Sequence, residues 1–319
     1  MNNSIGLVVK QAGMFSQLQD GGRYGVAKQG LSQGGCCDEI AAGWANYLLK
    51  NRSDSCLLEI TFGQSEFFAE CDCQLALTGA DMQAVIRHSS GQKTVQRNNR
   101  SFIVKRGESL QLGFARSGMR AYLAVQGGFQ IAQQYASNST VARNAIGGLN
   151  GDGGQLQAGD RLAILPQRIE QHQFVMPSQY VPNYEQSVTI GVIESYQVDT
   201  FTAAQKKQFY SGEYCISAQS DRMGMRLTGE PLAGDLKGII SEGIALGSIQ
   251  IAADGLPIIL LQDRQTLGGY PKIGCVARSD LSLLAQQSVG KKVRFKPVSL
   301  DAAQLRYQQR LAFFNGDRF

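Results

Sequence analysis

The densest group of chemically capable side chains lies in one loop of the C-terminal half. An apolar run, Ile258–Leu261, leads into Gln262–Lys272, which holds a carboxylate, a guanidinium, an amide, a hydroxyl, a phenol and an ammonium. Arg264 and Lys272 suit a carboxylate or phosphate, and Asp263 suits a general base or a Mg²⁺ ligand. The same residues also fit a buried Asp–Arg pair that stabilises a β-turn. Composition does not separate these two interpretations.

Three further segments carry polar groups between glycines. Ser241–Gln250 contains a carboxylate and an amide, and Asp221–Arg226 places two arginines four residues apart around Gly224. The arginine pair fits an anion site or a solvated turn equally well. Near the N-terminus, Gln19–Asp38 is glycine-rich and polar, and it predicts a loop that ends at a helix cap, Asp38.

Other catalytic and metal-binding motifs are absent from the sequence. There is no GxxxxGK[ST] phosphate loop, HExxH or GxSxG motif. Gly147–Gly154 precedes a strand pattern and not a helix, which favours tight β-turns over a phosphate cradle. The seven cysteines are odd in number and have no CxxC spacing. We therefore expect most of them to be small buried hydrophobic residues, and we expect no metal site built from them.

Composition narrows the class of protein. The chain has 319 residues, of which 37 are glycine, 43% are hydrophobic and 18% are charged. This composition excludes collagen and disorder and predicts a turn-rich globular β protein. The net charge of +5 is not concentrated in one region, which argues against nucleic acid as a partner. Apolar runs are too short to cross a membrane and the first residues lack signal-peptide character, so we expect a cytoplasmic protein without membrane contact.

The elements that must position these side chains are mostly short strands, with a few helices. Helices are predicted to begin at Asp38, at Thr202 with a capping box to Gln205, at Ser279 and at Ser299. Residues 166–186 contain little periodicity and predict a linker between an N-terminal domain (1–165) and a C-terminal domain (187–319) that ends in a helix. The predicted strands are Ile5–Val9, Leu75–Thr78, Phe102–Lys105, Ala121–Val125, Arg161–Leu165, Val188–Ile193, Ile258–Leu261 and Val293–Val298.

Motifs in register along nearly the whole chain carry a family resemblance. The chain resembles the family of the C subunit of 5-oxoprolinase, also called the allophanate hydrolase subunit 2 or biotin-dependent carboxyltransferase family. It is similar to the carboxyltransferase part of urea carboxylase and to an antagonist of a sporulation kinase inhibitor. The motifs include Gln19-Asp20, Gly22-Arg23, Leu58-Glu59-Ile60, Gly79-Ala80-Asp81, Ser220-Asp221-Arg222-Met223-Gly224, Ser241-Glu242-Gly243, Asp263-Arg264-Gln265-Thr266 and Gly268-Gly269-Tyr270-Pro271-Lys272.

The resemblance implies a fold and an activity. The implied fold is mainly β, with two cyclophilin-like β-barrel domains. The implied activity is ATP-dependent hydrolysis of an amide or lactam, the opening of 5-oxo-L-proline to L-glutamate together with subunits A and B, with ATP and Mg²⁺ shared with those partners. The alternatives are biotin-dependent carboxyl transfer to urea or a related amide, with biotin carried by another protein, and a non-catalytic module that binds the B subunit or a kinase inhibitor.

On this resemblance we expect one site in the C-terminal half. Arg264 and Lys272 neutralise carboxylate or phosphoryl charge, and Asp263 handles a proton or Mg²⁺. The substrate-binding residues are predicted to be Glu242, Gln250, Tyr270, Arg222, Gln265, Thr266, Gly268 and Gly269. The chain departs from the family pattern at Gly34–Cys37, Ala136–Asn138 and Glu194–Tyr196.

Overall fold

The chain divides into two compact units. The structure, a computed structural model, describes residues 5–167, 169–170, 172–234 and 236–315. The N-terminal unit comprises Met1–Arg23 and Gly34–Glu185, and the C-terminal unit comprises Tyr24–Gln33 and Gln186–Phe319. Residues 24–33 thus belong to the C-terminal unit, which the division into 1–165, 166–186 and 187–319 did not anticipate.

The N-terminal unit is built from two antiparallel sheets. One has the strand order β11-β1-β4-β9-β6-β7 and the other the order β2-β3-β10-β5-β8. Apolar side chains from both sheets, such as Phe67, Leu75 and Phe102, form a single buried core. The strands are β1 (Gly6–Ala12), β2 (Phe15–Gln19), β3 (Leu57–Thr61), β4 (Gly63–Ala69), β5 (Cys73–Asp81), β6 (Val85–Arg87), β7 (Lys93–Val95), β8 (Arg100–Val104), β9 (Ser109–Phe114), β10 (Ser117–Val125) and β11 (Arg161–Ala163).

Helix α1 (Glu39–Tyr47) begins where the sequence predicts. The Asp38 carboxylate accepts hydrogen bonds from the backbone N–H of Ile40 and Ala41, which satisfies two donors that a helix start leaves open. Trp44 on this helix is buried.

The segment predicted as a linker packs along the N-terminal unit. The Gln167 Oε1 atom accepts a hydrogen bond from the backbone of Gln74 in β5, and Phe174 donates to Ser101 in β8. Arg168 and Gln171 lie outside the described residues. Hydrogen bonds from polar side chains hold this segment against strands β5 and β8. Because the segment does not depend on a periodic row of apolar side chains, its sequence shows little hydrophobic periodicity.

The C-terminal unit contains a closed barrel with the strand order β12-β19-β16-β17-β14-β13-β20. Strands β12 and β20 pair in parallel, and the other pairs are antiparallel. The elements are β12 (Val188–Glu194), α2 (Ala203–Ser211), β13 (Tyr214–Ile216), β14 (Gly224–Thr228), β15 (Glu242–Gly243), β16 (Ser248–Ile251), β17 (Pro257–Leu260), β18 (Leu267–Gly268), β19 (Lys272–Val276), α3 (Arg278–Ala285), β20 (Lys292–Pro297) and α4 (Leu300–Asn315).

The mainly β class is confirmed, and each predicted strand run coincides with an observed strand. The capping box of α2 is also present, since Thr202 and Gln205 bond each other's backbone N–H. None of the helices in the described ranges is long and apolar enough to cross a bilayer.

Candidate functional site

A buried ammonium lies at the start of β19. The Lys272 side chain is only 6% exposed, and its Nζ atom contacts the Oε1 atom of Glu242. The Glu242 side chain is 32% exposed. Glu242 reaches this position because β15 pairs with β18, the strand that precedes Lys272 in the loop. The pairing thus brings together two of the residues predicted for the site.

Two residues that the sequence did not predict complete this group. Gln197 donates from Nε2 to Glu242 Oε1 at 2.6 Å and accepts the backbone N–H of Lys272 at 2.8 Å. The Tyr196 hydroxyl also donates to Glu242 Oε1. We call Lys272, Glu242, Tyr196 and Gln197 the Lys272 cluster. Tyr196 belongs to one of the departures from the family pattern, and the run of polar residues after β12 was the available signal.

The Lys272 cluster has a defined charge state. Hydrogen bonds from Lys272 and then Tyr196 lower the pKa of Glu242, and the bond to Glu242 raises the pKa of the Tyr196 phenol. At neutral pH Glu242 is therefore a carboxylate and the Tyr196 phenol is protonated. Such a group can stabilise a developing oxyanion and orient an amide.

Gln250 lies beside this cluster in the barrel. It pairs with Lys272 across β16 and β19, and it is 2% exposed. Its Nε2 atom has no hydrogen-bond partner among the described residues. A Cβ atom at Gly268 would lie 2.7 Å from this Nε2 and 2.4 Å from the Ile244 Cδ1 atom. A side chain at position 268 therefore requires the ends of Ile244 and Gln250 to shift, and the close neighbours of Gly268 are side chains of this chain.

Asp263 is engaged in a bidentate ion pair. Arg222 donates from Nε to Asp263 Oδ2 and from Nη2 to Oδ1, both at 2.9 Å, and the two side chains are only 13% and 8% exposed. A carboxylate with both oxygens so occupied is a poor general base. The turn-stabilising interpretation of Asp263 therefore describes its geometry, although its partner is Arg222 and not the adjacent Arg264.

Arg264 is a cation that lacks a carboxylate partner within the described ranges. Its Nε donates to the Ile244 carbonyl at 3.2 Å and its Nη1 to the Leu261 carbonyl at 3.3 Å. Burial lowers the pKa of Arg264 to about 10, so the guanidinium is charged at neutral pH. Ser32 donates to the Arg264 carbonyl at 2.7 Å, which links segment 24–33 to this loop.

The remaining predicted residues line the outer part of the loop. Gln265 and Thr266 are partly exposed and Tyr270 is 41% exposed. None of these three side chains makes a hydrogen bond with the part of the chain that the structure describes. A Cβ atom at Gly269 would lie 3.0 Å from the Ile239 carbonyl oxygen, so this glycine also permits a close approach within the chain.

Two of the buried carboxylates of the N-terminal unit, Asp20 and Glu59, belong to family motifs but were not predicted as site residues. Asp20 accepts hydrogen bonds from Ser137 Oγ, Ser139 Oγ and the Asn138 backbone at 2.6–2.7 Å. Glu59 accepts from the Tyr122 hydroxyl and the Cys37 backbone N–H, both at 2.8 Å.

Two of the segments that depart from the family pattern therefore donate hydrogen bonds to carboxylates in the family motifs. Ala136–Asn138 donates to Asp20, and Gly34–Cys37 donates to Glu59. The Gln19-Asp20 and Leu58-Glu59-Ile60 motifs were the signal for these positions.

No donor set for a metal ion is gathered in the described ranges. Groups of three or more His, Cys, Asp or Glu side chains at ligand spacing are absent from these ranges. Asp263, the residue considered for Mg²⁺, has both oxygens bound by Arg222. The geometry therefore does not fit Mg²⁺ at Asp263.

Comparison with known families agrees with this architecture. The profile of the carboxyltransferase domain, subdomain A and B, matches residues 29–297. The chain belongs to this carboxyltransferase-domain family.

Individual relatives differ in how much of them the chain covers. The C subunit of Escherichia coli 5-oxoprolinase is 35% identical over 314 residues, which are 96% of this chain and 98% of that protein. A putative urea carboxylase of Emericella nidulans is 30% identical over 93% of this chain and 24% of its own length. The crystal structure of Kluyveromyces lactis urea carboxylase superposes with a TM-score of 0.87 at 25% identity, covering 100% of this chain and 30% of that one.

Proposed function

We propose that this chain is the C subunit of a multi-subunit 5-oxoprolinase, which opens 5-oxo-L-proline to L-glutamate with subunits A and B and hydrolyses ATP in doing so. One observation carries the proposal, namely the end-to-end similarity to the E. coli protein of that name. The Lys272 cluster supports it, because it supplies a buried cation next to a carboxylate and hydrogen-bond donors.

The reaction sets the task of these side chains. A lactam is a weak electrophile, so phosphorylation of its oxygen by ATP, which releases ADP, activates the carbonyl carbon for attack by water. In the tetrahedral adduct the ring C–N bond breaks and the nitrogen takes a proton, which leaves an acyl phosphate. A second water molecule hydrolyses this acyl phosphate to glutamate and phosphate. Negative charge develops on oxygen at the carbonyl carbon, and in this proposal the Lys272 ammonium stabilises it.

The other predicted residues have binding roles in this scheme. Arg264 neutralises the substrate carboxylate or a phosphoryl group, because it is a cation without a carboxylate partner in the described ranges. Glu242, Gln250 and Tyr270 orient the ring amide. Asp263 and Arg222 hold the loop in shape through their ion pair and do not exchange protons with substrate.

ATP and Mg²⁺ are assigned to the partner subunits. The sequence has no phosphate loop, and the described residues offer no group of metal ligands. We expect this chain alone to hydrolyse little ATP.

The test is a reconstituted complex of this chain with subunits A and B. Lys272→Ala is expected to lower ATP-dependent glutamate formation about 100-fold or more, as loss of an oxyanion donor does. The matched control is Lys296→Ala on the exposed face of β20, which should stay within about twofold of the parent. An unchanged rate for Lys272→Ala in an intact complex would remove Lys272 from the mechanism.

The similarity to urea carboxylase favours one alternative, carboxyl transfer from carboxybiotin to an amide nitrogen. This chain covers only 24% of the E. nidulans protein and 30% of the K. lactis structure, so biotin and its carboxylation would come from other chains. The same reconstituted complex distinguishes the two reactions. The alternative requires transfer of labelled carboxylate to urea, and the proposed function requires glutamate from 5-oxo-L-proline.

A further inference from the structure

The N-terminal unit contains a cavity that none of the assigned roles uses. Its volume is about 680 Å³, within the range of small-ligand sites, and it lies where β5 ends, where β10 begins and beside residues 181–184. All the residues predicted for the catalytic site belong to the C-terminal unit. We call this the N-unit cavity.

Three charged side chains line the N-unit cavity. Arg97 and Arg116 are exposed cations, and neither has a carboxylate within 4.0 Å among the described residues. Asp81 is the single carboxylate among the lining residues. Its Oδ1 atom accepts the backbone N–H of Gln83 at 3.0 Å, and its Oδ2 atom makes no hydrogen bond with the described residues. The lining therefore combines two cations with one anion.

A backbone hydrogen bond joins two of the charged residues. The Arg116 N–H donates to the Asp81 carbonyl at 2.7 Å, which keeps the two backbone segments that carry these residues side by side. Gln83 and Asn99, which also line the cavity, have φ values of +52° and +59°. Residues other than glycine rarely adopt this left-handed backbone conformation, and those that do often occur at ligand sites.

We propose that the N-unit cavity binds an acidic α-amino acid, free or as the first residue of a dipeptide. Both ligands carry two carboxylates and one ammonium, which complement two guanidinium groups and one carboxylate in number and sign. Guanidinium groups suit carboxylates because they donate paired hydrogen bonds. With a volume of about 680 Å³, the cavity has room for an acidic amino acid with bridging water, or for a dipeptide that begins with one.

Calorimetric titration of the full chain tests the proposal, with L-glutamate, the dipeptide Glu-Gly, glutarate, L-glutamine and inorganic phosphate as probes. Binding of L-glutamate alone indicates a site for the free amino acid, and binding of Glu-Gly as well indicates a site that also accepts a dipeptide. Glutamine, which lacks the second carboxylate, is expected to bind at least fivefold more weakly. Equal affinities for inorganic phosphate and L-glutamate would overturn the assignment, because phosphate has no ammonium group and its binding would need only the two arginines.

Variants locate the binding and separate the two charge types. Arg97→Gln and Arg116→Gln are each expected to weaken glutamate binding at least fivefold, whereas Arg106→Gln, on an exposed turn outside the cavity, should leave it unchanged. Asp81→Asn should weaken glutamate binding but not glutarate binding, because glutarate lacks the ammonium. The proposal fails if 10 mM glutamate gives no saturable heat, if the cavity variants bind like the parent, or if Asp81→Asn affects both ligands equally.

Discussion

The ion pair between Asp263 and Arg222 makes the assignment of Asp263 testable, because a structural role and a catalytic role predict different effects of Asp263→Asn. The substitution keeps the size of the side chain and removes its charge. Removing one partner of a buried pair costs about 3–5 kcal/mol, because the other charge stays buried. Asparagine keeps one oxygen acceptor for Arg222, so we expect a loss of about 3 kcal/mol in the free energy of unfolding, the lower end of this range.

Urea unfolding followed by far-UV circular dichroism measures this loss for the whole chain. Hydrogen exchange should rise in β14 and β17, which pair with each other and flank Arg222 and Asp263. Fluorescence is less suitable, because the single tryptophan, Trp44, belongs to helix α1 of the N-terminal unit. The control is Glu230→Gln, an exposed carboxylate of the C-terminal unit, for which we expect a change within about 0.5 kcal/mol.

A second variant separates buried charge from packing. Replacement of both partners, Arg222→Met with Asp263→Leu, should regain most of the lost stability, since apolar side chains of similar volume need no charge partner. A structural role for the pair is refuted if Asp263→Asn unfolds within about 1 kcal/mol of the parent. It is also refuted if that variant is fully stable and yet loses glutamate formation about 100-fold in the complex, because Asp263 would then act in the chemistry.

Three further predictions concern other contacts. Gly268→Ala should destabilise the chain by about 1–3 kcal/mol in urea unfolding, because its Cβ would overlap Ile244 and Gln250. The control is Gly243→Ala, whose Cβ would meet no atom within 4 Å. Equal effects of the two substitutions would contradict the packing argument. Because the folded pKa of Glu242 is lowered, its contribution to stability is present above the ordinary carboxyl pKa and lost as pH falls through the lowered value. Glu242→Gln should therefore reduce the loss of stability between about pH 5 and pH 3, and identical acid profiles would refute this. Asp20→Asn should lower the free energy of unfolding, measured by calorimetry, by about 2–4 kcal/mol, because three donors within 2.7 Å of the carboxylate lose a charged acceptor. A loss below about 0.5 kcal/mol would contradict a structural role for Asp20.

The sequence predicted the strands and helix starts well because their signals are local. Val188–Ile193 is an apolar run of strand type, and Thr202 with Gln205 forms a capping box within four positions. No local sequence signal of this kind predicts that residues 24–33 belong to the C-terminal unit. It depends on contacts such as the one from Ser32 to the Arg264 carbonyl, more than 200 positions along the chain.

The site was predicted in part for the same reason. Glu242 and Lys272 were expected to act together, and the structure places them in contact. Gln197 was missed because it lies 75 positions from Lys272 and reaches it only through the pairing of β12 with β19. The partner of Asp263 proved to be Arg222, 41 positions away, because the pairing of β14 with β17 decides which side chains meet.

The most direct test of the proposed function is the rate of glutamate formation from 5-oxo-L-proline and ATP by purified subunits A and B, measured with and without this chain. We predict that the chain joins the complex and that the rate without it falls at least 100-fold. If subunits A and B reach the full rate without this chain, or if the complete complex forms no glutamate, the assignment as the C subunit of a 5-oxoprolinase is contradicted.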